Sequence, residues 1–299
     1  MNFKLNQQIF SELYLNNEIE VFIKRLDLID PFISGNKLFK LKHNVDRALF
    51  QKKNMLITFG GAFSNHILAT AAYTKKKKID CLAIVRGEEY YELNPLLTLA
   101  KEYGMKFSFV SRKEYAKRND NNYVSELIRK YKKAFIVPEG GNNKLGVLGA
   151  EEILEKQDKS FDYIICPIGT GATLSGIVNS SNRTQKVIGI NCINDTKDIN
   201  KNISQKTNKN NWEIINEFNF GGFAKFDNLL TEYLKKFKLN YKITLDLNYT
   251  TKMFFGFEKL IERRYFQRKS KVLLIHTGGT YGNLGFNYLY DLDLPYESN

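Results

Sequence analysis

Short apolar runs alternate with amphipathic stretches along most of this 299-residue chain, and the turns between them are rich in glycine. Residues 21–24, 55–59, 81–85, 106–110, 134–137, 163–167, 187–191 and 272–276 read as strands. They are nearly continuous in apolar character, as expected of strands covered on both faces. Residues 37–51, 64–76, 95–103, 123–132, 145–156, 173–179 and 251–264 read as helices between them. Strands that alternate with helices must pair in parallel through helical crossovers, which is the α/β class. There are too many strands for one small sheet, so two open, twisted parallel-sheet units are expected. Residues 194–211 are polar and rich in Lys and Asn, and read as a long surface connection or an irregular helix.

Four of the glycine turns fall where a strand ends or a helix begins, the place where open α/β sheets bind ligands. In Gly169-Thr170-Gly171-Ala172-Thr173, glycines let backbone N–H groups approach an anion, the helix start adds a favourable dipole, and Thr170 and Thr173 add hydroxyl donors. This has the form of a phosphate cradle, though a tight turn without a ligand would look the same. It lacks the Gly-Lys-Ser/Thr ending of a Walker loop, and Leu174 replaces the third glycine of a dinucleotide turn. In Gly60-Gly61-Ala62-Phe63-Ser64-Asn65-His66, Ser64 or Asn65 is either a plain helix cap or part of a carboxylate pocket. Lys37 follows Ser34-Gly35-Asn36 at a helix start, where a positive charge is unfavourable. That misfit suits an amine used as a nucleophile, although a lone surface lysine is the plain alternative. The fourth turn is His276-Thr277-Gly278-Gly279.

Composition excludes other classes. The net charge is +13, but it is spread along the chain, and its densest run, Lys75-Lys76-Lys77-Lys78, reads as a solvated helix end. There is no zinc finger, aromatic RNA-binding signature or basic heptad, so nucleic acid is not an expected partner. Cys81, Cys166 and Cys192 lie in apolar stretches without metal-ligand spacing and are expected to be reduced, buried thiols, with no metal bound. No segment has the ~18 apolar residues of a membrane helix, and the first residues do not resemble a signal peptide. A soluble, cytoplasmic protein is expected.

Taken together, several segments resemble one family in their order along the chain. These are Lys24-Arg25-Leu26-Asp27-Leu28, Ser34-Gly35-Asn36-Lys37-Leu38-Phe39-Lys40-Leu41, the 60–66 turn, Pro138-Glu139-Gly140-Gly141-Asn142, the 169–173 turn, Asn248-Tyr249-Thr250-Thr251-Lys252 and His276-Thr277-Gly278-Gly279. The chain resembles the pyridoxal-phosphate (PLP) dependent family of 1-aminocyclopropane-1-carboxylate (ACC) deaminase and D-cysteine desulfhydrase, with the tryptophan-synthase-β-like PLP fold. The resemblance implies two α/β domains with PLP in the cleft between them. The smaller would span residues 41–150, and the larger residues 1–40 with 151–299. It implies a homodimer.

The resemblance also implies residue roles. Lys37 would form the Schiff base with PLP and move protons at the substrate. Lys40 would lie near the cofactor phosphate, Asn65 would bond the ring hydroxyl oxygen, and Gly169, Thr170, Gly171, Ala172 and Thr173 would form the phosphate loop. Thr250 would pair with the pyridine nitrogen. Ser64 and Tyr249 would act in catalysis, and Ser64, Asn65, His66 and Tyr249 would contact the substrate. Some positions depart from ACC deaminase. Thr250 replaces a glutamate that keeps the ring nitrogen protonated and the ring a strong electron sink. Phe223 is the nearest counterpart of an active-site tyrosine, Phe63 is bulky beside the substrate loop, and Thr251 replaces a usual glycine. Thr250 favours a D-cysteine desulfhydrase-like α,β-elimination of a small amino acid, giving pyruvate, ammonia and sulfide. The alternatives are ACC deamination to 2-oxobutyrate and ammonia or, in another class, a catalytically idle PLP-binding regulator.

Overall fold

The structure, a computed structural model, describes residues 5–87, 94–195, 197–207 and 209–296. Its strands, in chain order, are β1 (Asn6–Ile9), β2 (Glu20–Arg25), β3 (Met55–Gly61), β4 (Asp80–Arg86), β5 (Met105–Val110), β6 (Ala134–Val137), β7 (Tyr163–Ile168), β8 (Lys186–Asn191), β9 (Trp212–Ile215) and β10 (Lys271–His276). They form a six-stranded sheet of order β1-β2-β10-β7-β8-β9 and a four-stranded sheet of order β5-β4-β3-β6. Every pairing is parallel except β1 with β2. The expectation of two parallel sheets is met, with one antiparallel edge strand added.

The helices are α1 (Glu12–Asn16), α2 (Asn36–Phe50), α3 (Asn65–Lys77), α4 (Pro95–Glu102), α5 (Arg112–Tyr115), α6 (Asn121–Lys130), α7 (Lys144–Glu151), α8 (Ala172–Ser180), α9 (Lys197–Ser204), α10 (Asn228–Tyr241), α11 (Thr250–Glu262) and α12 (Gly282–Tyr290). α10 and α12 went unread in the sequence, yet α10 carries an ordinary helical signal. Asp227 caps it through Leu230 N, and Leu230, Leu234 and Phe237 recur on one face and are buried. Each contributes about 2 kcal/mol of apolar burial. The polar 194–211 stretch contains α9, whose Ile199 and Ile203 are buried and pack against Gly171.

Both faces of the larger sheet are covered. One core layer gathers Ile23, Ile165 and Leu274 with Phe254 and Phe257 of α11, and the other gathers Ile164 and Leu273 with Leu174 and Ile177 of α8. That two-sided burial is why these strands read as continuous apolar runs. Lys24, in the first family-like segment, is structural. It is buried on β2, with its ammonium 2.6 Å from Asp158 and 2.9 Å from Glu155. Removing both carboxylates would strand that buried charge, at a cost of about 3–5 kcal/mol.

Candidate active site

The glycine turns of both sheets meet at the carboxyl ends of β3, β7 and β10. Gly35, at φ +66°, starts α2, and a Cβ there would collide with the Thr277 carbonyl oxygen. Asn36 N donates to that same carbonyl at 3.2 Å, so the start of α2 is docked on the end of β10. A side chain at Gly35 would break this contact, and Gly35 also adopts a left-handed φ without strain.

Asn36 then organises the centre. Its Nδ2 donates to Thr173 Oγ1 at 2.8 Å, and its Oδ1 accepts from Lys37 Nζ at 2.9 Å. One amide therefore links the lysine to the 169–173 turn. Thr173 accepts here and keeps its own proton for donation. Burial pulls the Lys37 amine down to about 8, while Asp246 and Cys166 oppose the shift. Lys40, one turn on, is buried and held well below the ordinary lysine range, first by burial and next by the Lys37 charge. Two crowded amines that disfavour their own charge make a site that an anion would relieve.

The 169–173 turn is shaped for that anion. α8 begins at Gly171, at φ +86°, with no side-chain cap, so its first N–H groups are not taken by a capping side chain. A Cβ at Gly169 would lie 3.0 Å from the Tyr249 ring, and one at Gly140 would lie 3.1 Å from Thr170. The Pro138–Asn142 turn thus packs on the glycine turn, and Gly141 packs against the Lys40 side chain.

On the opposite side, Ser64 caps α3, its hydroxyl accepting from His66 N at 3.2 Å. Ser64 and Asn65 are half-buried, and Asn65 Oδ1 is enclosed without a hydrogen-bond partner. An orphaned acceptor packed against Gly279 and Gly282 of the fourth glycine turn is a second mark of a ligand site.

Three residues of the family-like segments have their side-chain partners inside the protein. His66 was expected at the substrate, but it is buried against β3. Thr58 donates its proton to Val137 O and accepts from His66 Nε2 at 2.8 Å, so that Nε2 carries a proton. Burial, then Lys37 and Lys40, holds its pKa well below the usual value. One helical step past Asn65 turns this side chain to the sheet rather than the cleft. Thr250, expected beside a ring nitrogen, is wholly buried at the start of α11. Its hydroxyl bonds Asp246 Oδ1 at 2.7 Å and accepts from Asp246 N at 2.7 Å. Thr251 does not shape the pocket, because it is buried with its hydroxyl on Asp246 O at 2.8 Å.

Asp246 itself went unread. It caps α11 by accepting from Tyr249 N and Thr250 N, each at 3.0 Å. Burial pushes its carboxyl above the usual range against those hydrogen bonds. Its signal was the cap spacing, an Asp three residues before the helix-opening Tyr-Thr pair. Burial likewise raises the Tyr249 hydroxyl, with Asp246 adding to it.

The model of the family described as "pyridoxal-phosphate dependent enzyme" matches residues 10–278. A putative ACC deaminase of Thermotoga maritima is 30% identical over 284 residues, covering 88% of this chain and 89% of that protein. The Arabidopsis thaliana bifunctional D-cysteine desulfhydrase/ACC deaminase is 28% identical, covering 90% of this chain and 74% of that protein. The crystal structure of an ACC deaminase homologue superposes with a TM-score of 0.81 at 26% identity, covering 96% of this chain and 93% of that one.

Proposed function

Because the chain belongs to the pyridoxal-phosphate dependent enzymes, we propose that its cleft binds PLP on Lys37 and eliminates the β-substituent of a small amino acid, D-cysteine first among the substrates. The observation that carries this reading is the Lys37 amine, pulled to about 8 and tied through Asn36 to an uncapped, glycine-lined helix start. The residues fit the cofactor. Lys37 would hold the aldehyde carbon. Lys40, Thr170, Thr173 and the first N–H groups of α8 would hold the phosphate, and the orphaned Asn65 amide would satisfy the ring hydroxyl group. Bound PLP supplies an electrophilic aldehyde and a ring that stabilises negative charge at the substrate α-carbon.

This chain's own groups do the rest. The substrate carboxylate binds at the start of α3, where Ser64 and the first N–H groups face it. The Lys37 amine, whose burial favours the neutral form, takes the α-proton. The half-buried Tyr249 ring closes the cleft against Gly169 and excludes water from the exchange. Overall, D-cysteine and one water give pyruvate, ammonia and hydrogen sulfide, with the C–S bond broken and the α-proton returned to the products.

Two observations divide elimination from ACC ring opening. Position 250 carries a hydroxyl rather than a carboxylate, which favours elimination of a good leaving group. The Asp246 carboxyl lies directly behind that hydroxyl, at 2.7 Å, which keeps ACC deamination as the second reading. Residues 41–150 are proposed as the smaller domain and the rest as the larger. The proposed setting is a homodimer in a reducing cytoplasm, which suits the free, buried Cys81, Cys166 and Cys192. Among the described residues no helix is long and apolar enough to cross a membrane.

The test is to offer PLP-loaded protein D-cysteine, L-cysteine, D-serine and ACC in parallel and identify the keto acid. Pyruvate with sulfide from D-cysteine, and nothing from ACC, is the expected result. 2-Oxobutyrate from ACC would move the assignment to the second reading. No product from any of the four, with the cofactor absorbance intact, would overturn both substrate readings and leave the cofactor assignment standing.

A further inference from the structure

Lys252 lies in the first turn of α11, three residues past Tyr249, and is wholly buried. Its ammonium donates to three backbone carbonyls: Cys192 O at 3.3 Å, Asn219 O at 2.8 Å and Gly222 O at 2.6 Å. An ammonium has three protons, and each finds a carbonyl here. Burial lowers its pKa, while Cys192 and Asp246 oppose the shift. A structural lysine would ordinarily pair with a carboxylate; this one is caged by oxygen dipoles, as a small monovalent cation would be.

Two of the three carbonyls belong to the 219–224 turn. There Phe220, Gly221, Gly222 and Ala224 all have left-handed backbones, with φ of 53°, 87°, 111° and 57°. The turn closes on itself through Gly222 N to Asn219 O at 2.9 Å and Lys225 N to Gly222 O at 3.2 Å, and the left-handed Phe220 and Ala224 add strain that outside contacts must offset. The segment that opens α11 grips it twice, through the Lys252 ammonium and through Asn248 Oδ1, which accepts from Ala224 N at 2.9 Å. Between the grips the turn presents Phe223, whose ring centre lies 6.3 Å from that of Tyr249, and Tyr249 in turn lies against Gly169.

We propose that Lys252 is a positioning residue: its ammonium fills a monovalent-cation cage of backbone carbonyls, and so fixes Phe223 and Tyr249 as one wall of the substrate pocket. The pocket part of this inference rests on the function proposed above; the cage does not.

The holoenzyme carrying Lys252→Ala is studied in potassium, ammonium and choline chloride at equal ionic strength. The cage predicts a thermal midpoint that rises in potassium or ammonium relative to choline, which is too large to enter. It also predicts a KM about tenfold above wild type in choline that falls back severalfold in ammonium, with kcat changed less. Lys252→Met fills the same channel with an apolar chain. It is expected to fold, to show the raised KM, and to respond to none of the cations. A Lys252→Ala protein that behaves alike in all three salts would overturn the cage. A Lys252→Met protein with the wild-type KM would overturn the positioning role, and decides that point even where Lys252→Ala does not fold. Wild type that turns over no amino acid would refute the substrate reading alone, because the midpoints still report on the cage.

Discussion

α3 and α8 occupy equivalent places in the two sheets, yet they begin differently. Each follows a strand and a glycine pair and points its first turn into the cleft. α3 opens on Ser64, whose hydroxyl already accepts from His66 N. α8 opens on Gly171 and has no side-chain cap. An uncapped start leaves several N–H groups to one anion and suits a doubly charged, tetrahedral phosphate. A hydroxyl-capped start leaves fewer N–H groups and adds a group that can turn toward a substrate, which suits a carboxylate. The same dipole thus serves two ligands, and the residue at the cap divides the labour. The amines of Lys37 and Lys40 enter on α2 and are joined to the α8 side by Asn36 and Thr173.

This contrast can be broken from the phosphate side first. Gly171→Val places a β-branched side chain at φ +86° and a Cβ 3.1 Å from Ile203. It should weaken PLP binding by about a hundredfold, from backbone strain and lost anion contacts together. Titration of the apo protein with PLP measures this, and an unchanged Kd would mean that α8 does not hold the phosphate. Ser64→Ala should act on the other side. PLP binding should stay within about twofold, while kcat/KM falls by roughly ten- to a hundredfold. An equal loss of PLP affinity would erase the division between the two helices. The smallest effect is on stability: losing the Ser64 cap should cost about 1 kcal/mol in denaturant unfolding.

pH sharpens the part played by α2. Burial lowers the Lys37 amine to about 8, so its neutral fraction falls about tenfold per pH unit below that point. The rate of PLP capture by apo protein should climb from pH 6 and level off just above 8. An ordinary lysine would still be climbing near 10. A capture rate that keeps rising to that range would show that Lys37 is not held as described.

The sequence revealed these parts unequally. The buried parallel strands were visible because two-sided burial writes continuous apolar runs, and residues 134–137 were bounded as β6 is. β1, with the sequence Asn-Gln-Gln-Ile, was not, because a polar edge strand is defined by its partner β2 rather than by its own residues. The glycine turns and Lys37 were legible because their chemistry is local. Asp246 and Lys252 were not, because their work depends on which backbone atoms the fold brings to them: Tyr249 N and Thr250 N for one, Cys192 O, Asn219 O and Gly222 O for the other. Thr250 shows the converse, since its place in a motif did not disclose that its hydroxyl is committed to Asp246.

Reducing the loaded protein with borohydride and locating the pyridoxyl group by peptide mass spectrometry would show whether Lys37 is the amine that holds PLP. One modified residue, Lys37, is expected, with no modification in Lys37→Ala. A pyridoxyl group on Lys40 or on any other lysine, or its persistence in Lys37→Ala, would contradict it.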